Sequence, residues 1–234
     1  VYLENNVRAA ALAEYAHGST EVQGSECLLY LLMNEGVGMA VVLGGKLYRG
    51  PHMTAGEIGQ MVLADQNGPE RYDRPGCLES LASAMATCER YNGLSGNRQR
   101  AASSSSCMQQ LQQICHLAMD GDPYAHAAVT ATARYLGIAI VSAVWMMDAD
   151  AVVIDGPITE AWPIISTAIR EQFPEGPLFR NFRDLVLRPS ALGGQASVIG
   201  AITLPLASIF SSGDESAPPS EAAAVEQAEN DVQH

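Results

Sequence analysis

GVGMAVVLGGKLYRG (residues 36–50), AGEIGQM (55–61) and GCLES (76–80) follow one another in a single stretch, and their order decides the fold. Gly36-Val37-Gly38 feeds an apolar run of strand length. Gly44-Gly45, a pair that supplies the positive φ values of a tight hairpin, turns that run into a second short strand. The chain then presents Glu57 inside AGEIGQ, and Glu79 just after Gly76-Cys77-Leu78, where a helix opens. Backbone amides beside a glycine turn, followed by two carboxylates, form a donor and acceptor set suited to a polyhydroxylated ligand. Each part also has a plainer reading. Most Gly-x-Gly pairs only shape a turn, and glutamates at loop and helix starts are commonly solvated charges favoured by the helix dipole.

Working outward, CLLYLLM (27–33) is an unbroken apolar run of strand length, as expected for a strand buried on both faces. Before it, VRAAALAEYA (7–16) is strongly helix-forming, with Gly18 as its stop. Asn5 and Asn6 fall between a β-like start (1–3) and this helix, where asparagine satisfies orphan amides as a cap. Downstream, residues 78–91 read as a helix, the Ser-rich section 92–107 as a mobile loop, and 108–119 as a second helix. Gly121-Asp122-Pro123 places Asp122 at the N-cap and Pro123 at the first position of a long helix, 124–147. That helix is apolar on most faces, so it must be buried on several sides. A strand at 150–155 ends in the turn Asp155-Gly156-Pro157, and a helix at 159–172, a strand at 185–187 and a helix at 191–210 follow. Residues 211–234 are acidic, rich in Pro, Ala and Ser, and lack an apolar face, which predicts a disordered tail. Strands alternating with helices give one α/β domain over residues 1–210.

Composition agrees. The 234 residues are 47% hydrophobic, ample core for one domain. Thirteen Lys and Arg against 26 Asp and Glu give a net charge of -13, which excludes a phosphate backbone as a direct partner of this segment. No uninterrupted apolar run approaches the roughly 20 residues that span a bilayer, and VYLENNVR is not a signal sequence, so no membrane partner and a cytoplasmic location are expected. Five cysteines without a C-x-x-C spacing read as reduced thiols.

Four blocks in order, ENNVRAAALAE (4–14), GVGMAVVLGGKLYRG (36–50), AGEIGQM with GCLES (55–80), and GDP with RYLG and VVIDGPI (121–158), resemble the C-terminal lobe of the ROK family. That family joins sugar-responsive transcriptional repressors to sugar kinases. The third block is the most specific, and the resemblance covers most of residues 1–210. It implies a ribonuclease-H-like, actin-like ATPase fold with sugar held between two lobes. The N-terminal lobe would precede Val1, and in the repressor branch a winged helix-turn-helix would come earlier still. A homodimer is also implied.

Departures from the family pattern sharpen the expectation. Family kinases carry Asn-Asp at the position of Asn5-Asn6, where the Asp takes the proton of the attacking sugar hydroxyl. Asn6 cannot act as that base, whose help is worth about 10²- to 10⁴-fold, although it still donates and accepts hydrogen bonds. The family's zinc module needs a histidine after the Glu-x-Gly, then Cys-x-Cys-Gly and a final Gly-Cys. Here Gln60, Glu70 and Tyr72 stand at ligand positions, Asp73 replaces the glycine, and only Cys77 is kept, so no structural zinc is expected.

The resemblance implies sugar contacts at Asn5, Asn6, Glu57, Gln60 and Glu79, although the loop carrying Gln60 has the plainer reading that it merely packs. It implies vestigial nucleotide-side loops at Gly36, Gly38, Asp155 and Gly156. A family Gly pair has become Asp155-Gly156, adding charge that disfavours ATP. The expectation is therefore the sugar-sensing, dimerising part of a transcriptional regulator. It binds a sugar or sugar phosphate, has no cofactor, and meets DNA only through the winged helix-turn-helix. The alternative is a sugar kinase using ATP and Mg²⁺.

Overall fold

The structure, a computed structural model, describes residues 3–64, 75–96, 106–176 and 179–210, with side chains as far as residue 203. Glu70, Tyr72 and Asp73 and the tail 211–234 lie outside the described residues, as does the larger part of the Ser-rich section (97–105).

A five-stranded sheet organises the chain in the order β3-β2-β1-β4-β5. Its strands are β1 (Cys27–Met33), β2 (Val37–Leu43), β3 (Lys46–Tyr48), β4 (Ala151–Asp155) and β5 (Val186–Pro189). β1, β2 and β3 form an antiparallel meander, with Gly44 and Gly45 at positive φ in the β2–β3 turn. β1 pairs parallel with β4, and β4 with β5. All seven residues of β1 are buried, because both faces of the sheet are covered. Strand side chains alternate between faces, and β1 divides accordingly. Leu29, Leu31 and Met33 join the core formed with the helices between β2 and β5, while Leu28, Tyr30 and Leu32 join the core formed with Ala10 and Ala11.

The first of those cores is roofed by α3 (Ala84–Ser95), α4 (Cys107–Met119), α5 (Pro123–Met147) and α6 (Trp162–Arg170). Asp122 caps α5, its carboxylate accepting from the Ala125 amide at 2.7 Å, and Pro123 sits in the first turn. α5 is long and apolar enough to cross a bilayer by length and composition, which a count of uninterrupted apolar residues misses; 56% of its most apolar window is buried inside the fold. On the opposite face α1 (Asn6–His17) packs on the sheet and against α8 (Ala196–Phe210).

Several boundaries differ from the sequence expectation. The helix expected at 78–91 is two, α2 (Leu78–Ala82) and α3, because Ser83 is extended (φ -70, ψ 167) and caps α3 through the Ala86 amide. Residues 92–95, expected in the mobile loop, are the last turn of α3, and Ser106 and Cys107 are the cap and first residue of α4. Residues 157–161 form a 3-10 turn before α6, as do 193–195 before α8, and α7 (Arg180–Asp184) precedes β5. Leu3 lies outside any strand.

Candidate functional site

The turn between β1 and β2 contains Gly36 and is approached by Glu79 and Gly156 among the expected residues. The Asn34 amide donates to the Gly36 carbonyl at 2.9 Å, and the Asn34 carbonyl accepts from the Ala84 amide at 3.0 Å, so the first turn of α3 is fixed to it. Glu79, half-buried in the first turn of α2, aims its carboxylate at the same turn, where Oε2 accepts from the Val37 amide at 3.2 Å. A Cβ on Gly36 would lie 2.5 Å from Glu79 Oε2 and would displace that carboxylate from the Val37 amide. A Cβ on Gly59 would lie 3.4 Å from the same oxygen and 2.4 Å from the Val37 carbonyl oxygen. Gly38, inside β2, leaves room for Val7 of α1, which a Cβ would approach to 3.0 Å.

Glu57 and Gln60 flank Gly59 on a 3-10 turn (Ile58–Gln60), both exposed, while Ile58 between them is buried and anchors the turn. They also line one side of a groove of about 400 Å³ whose wall is otherwise mainly apolar, including Met39, Val41, Met61 and Met147.

The loop carrying Glu57 is tied to the start of α1 by a cluster the sequence reading missed. Arg8, buried, donates through Nη2 to the Met53 and Ala55 carbonyls. Glu4 lies 3.5 Å from Arg8 Nη1, and its Oε2 accepts from Arg49 Nε and Nη2 at 2.9 and 2.7 Å. The Glu4 and Arg8 side chains are only 7% and 8% exposed, whereas Arg49, at 34%, closes the group from the solvent side with charge-assisted bonds. Glu4 and Arg8 are an i,i+4 pair inside block 4–14, but Arg49 lies 41 residues beyond Arg8 and 45 beyond Glu4, a spacing with no periodic signal.

Asn5 caps α1, its Oδ1 accepting from the Val7 amide at 2.8 Å and the Arg8 amide at 3.4 Å. That leaves its NH₂ group for other partners. Asn6 is the first residue of α1, with an exposed side chain and a carbonyl that accepts from Ser197 Oγ at 3.2 Å. Asn5→Ala is expected to cost about 1 kcal/mol through loss of the cap. In a thermal melt this reads as a Tm lower by about 2–4 °C, and an unchanged Tm would show that the cap adds nothing.

Asp155 and Gly156 end β4 beside this turn. A Cβ on Gly156, at φ +112, would lie 2.0 Å from the Met33 carbonyl oxygen and 3.4 Å from Asn34 Oδ1. Asp155, expected to add charge on the nucleotide side, turns its carboxylate into the fold. Its carboxylate is buried, with Oδ2 accepting from the Tyr30 hydroxyl at 2.5 Å and Oδ1 from the Gly156 amide at 2.7 Å. Burial first, and then the bond to Asp155, push the Tyr30 phenol far up, so it stays protonated as the donor. The carboxylate is thus engaged inside the fold rather than displayed to a ligand.

The donors at the expected zinc positions do not fit that metal: an amide (Gln60), a carboxylate, a phenol and one buried thiol (Cys77) lack the thiolates and imidazole of a tetrahedral site. Among the described residues no three His, Cys, Asp or Glu converge as a metal site.

The sequence profile of the ROK family matches residues 1–207. The glucokinase of Halalkalibacterium halodurans is 27% identical over 205 residues, 86% of this chain and 62% of that protein. The xylose repressor of Bacillus subtilis is 26% identical over 201 residues, 86% of this chain and 49% of that protein. Among solved structures, a ROK family transcriptional regulator, a homologue of the E. coli MLC protein, superimposes with a TM-score of 0.70. It is 30% identical, over 87% of this chain and 51% of that one. The chain therefore spans about half to three-fifths of the length of these relatives.

Proposed function

The chain belongs to the ROK family, with its actin-like ATPase fold, and from that premise we propose that it is the sugar-sensing part of a transcriptional regulator of this family. The observation that carries the reading is Asn6, exposed in the first turn of α1 at the position where a phosphotransferase of this kind needs a carboxylate. An amide positions a hydroxyl but does not accept its proton at neutral pH. The engagement of Asp155 with Tyr30 and Gly156 supports the same reading, since neither group is left to orient a nucleotide.

In this proposal Asn5, Asn6, Glu57, Gln60 and Glu79 hold the hydroxyls of a sugar or sugar phosphate. Glu79 is already oriented by the Val37 amide, and the Glu57 loop by the Arg8 clamp. Binding that favours one arrangement of the lobes shifts the affinity of an attached DNA-binding domain, by at most the sugar's own difference in binding free energy between the two arrangements. The regulator acts in the cytoplasm as a homodimer.

Calorimetry with glucose, xylose and N-acetylglucosamine tests the site in the full-length protein. For whichever sugar binds, Glu79→Ala should weaken affinity by about 1.5–3 kcal/mol, roughly ten- to a hundredfold; unchanged affinity removes Glu79 from the site. The second reading, a sugar kinase, is favoured by the glucokinase relative. Turnover of these sugars with ATP and Mg²⁺ at ordinary enzyme rates would replace the regulator with that reading. If the fold is otherwise intact, Asn6→Asp is the substitution that should raise any residual transfer.

A further inference from the structure

Two thiols outside the candidate site lie against each other. Cys88 is buried in the middle of α3, and Cys107 is the partly exposed first residue of α4; their Sγ atoms are 3.9 Å apart. Cys88 Sγ is also 3.7 Å from the Cys107 carbonyl oxygen. Regular structure carries both sulfurs. Ser106 and Gln109 form a capping box, with bonds of 3.3 and 3.2 Å, that sets the backbone immediately before Cys107. Ser83 caps α3 through the Ala86 amide, and both helices pack on α5. A disulfide needs an S–S distance of about 2.05 Å, so an approach of roughly 1.9 Å is required. That lies within reach of a side chain at a partly exposed helix end.

We propose that Cys88 and Cys107 are a reversible thiol–disulfide pair, a modification site that staples α3 to α4. With a hydroperoxide as oxidant, the Cys107 thiolate attacks a peroxide oxygen, the O–O bond breaks, and Cys107 becomes a sulfenic acid as hydroxide leaves. The Cys88 thiolate then attacks the Cys107 sulfur, forming S–S and breaking S–O, and the departing hydroxide takes a proton to become water. In sum two thiols and one hydrogen peroxide give one disulfide and two waters, two electrons passing to the peroxide. A dithiol reverses the change. Because the first amide of α3 binds the Asn34 carbonyl, the staple holds the helix that braces the turn under Glu79.

The titratable groups that face the pair are Glu35 on the β1–β2 turn, Glu89 on α3 and Cys115 on α4. Burial is the main cause that pushes both thiols up. Neighbouring cysteines and Glu89 add to it at Cys88; at Cys107 the hydrogen bond with Cys88 opposes it, while Glu35 and Glu89 add to it. Thiolate is therefore scarce near neutrality, and oxidation should accelerate continuously from pH 7 to pH 9.

The test exposes the full chain to hydrogen peroxide, then counts thiols after denaturation. Tryptic fragments around Cys88 and Cys107 also contain Cys77 and Cys115 respectively, so substitutions make the assignment. Two of the five thiols should be lost and then recovered with dithiothreitol. The paired loss should vanish in Cys107→Ser and persist in Cys77→Ser and Cys115→Ser. Cys107 is partly exposed, so its serine variant decides the matter even if the buried Cys88→Ser fails to fold. Five thiols surviving, a loss that dithiothreitol does not reverse, or a paired loss that persists in Cys107→Ser would each overturn the proposal.

Discussion

Replacing Gly56 by alanine is expected to destabilise the fold by about 4 kcal/mol and to weaken the proposed sugar binding beyond that loss. Two effects separate cleanly. Gly56 has φ +95, where a Cβ carries a conformational cost of about 1–2 kcal/mol. The added Cβ would also lie 2.1 Å from the Met39 carbonyl oxygen and 2.9 Å from its carbon. These are backbone atoms of β2, which no rotamer change moves aside, so the loop itself must withdraw. Withdrawal breaks the 3.0 Å bond from the Met39 amide to the Gly56 carbonyl, and Glu57 and Gln60 move with it. Gly44→Ala is the control. Gly44 also has positive φ, at +52, but a Cβ there meets nothing within 4 Å, so it reads conformational cost alone. Urea denaturation of both variants measures the difference. Equal costs would show that the Gly56–Met39 approach is looser in solution than in this structure.

How much of this was legible beforehand depends on the distance over which each signal acts. The strand CLLYLLM was readable because an unbroken apolar run already states that both faces are covered, and both are. The Gly44-Gly45 turn and the caps at Asn5 and Asp122 were readable because their chemistry is complete within four residues. The break at Ser83 was not. Both halves of LESLASAMAT favour a helix, and the interruption depends on the Asn34 carbonyl docking on the Ala84 amide, a partner 50 positions away. Tyr30 in an apolar run gave no sign that its hydroxyl would hold Asp155 across 125 residues. For the candidate site, the blocks located Glu57, Gln60 and Glu79, and the structure places the turn bearing the first two beside the third. The blocks did not show that Arg8 fixes the Glu57 loop to α1, nor that the Asp155 carboxylate is occupied inside the fold.

Gly200→Ala is expected to lower stability by about 3–5 kcal/mol, or roughly 10 °C in Tm at about 2–4 °C per kcal/mol for a domain of this size. Propensity argues the other way, since alanine in a helix interior is better than glycine by about 1 kcal/mol. Packing decides the sign. A Cβ on Gly200 would lie 1.9 Å from the Ala9 carbonyl oxygen, 2.3 Å from its carbon and 2.9 Å from its Cα, all backbone of α1. The small, buried face formed by Ala9, Ala10 and Ala13 has no side chain that yields in their place. Accommodation therefore requires α1 and α8 to move apart, and the bond from Ser197 Oγ to the Asn6 carbonyl lies one turn from the clash. The variant should accordingly displace Asn5 and Asn6 and weaken the proposed sugar binding without touching either residue. Gly194→Ala, at a site where an added Cβ meets nothing within 4 Å and φ is not positive, should stay within about 0.5 kcal/mol of the parent. A Gly200→Ala protein that melts with the parent would mean that α1 and α8 do not cross this closely in solution.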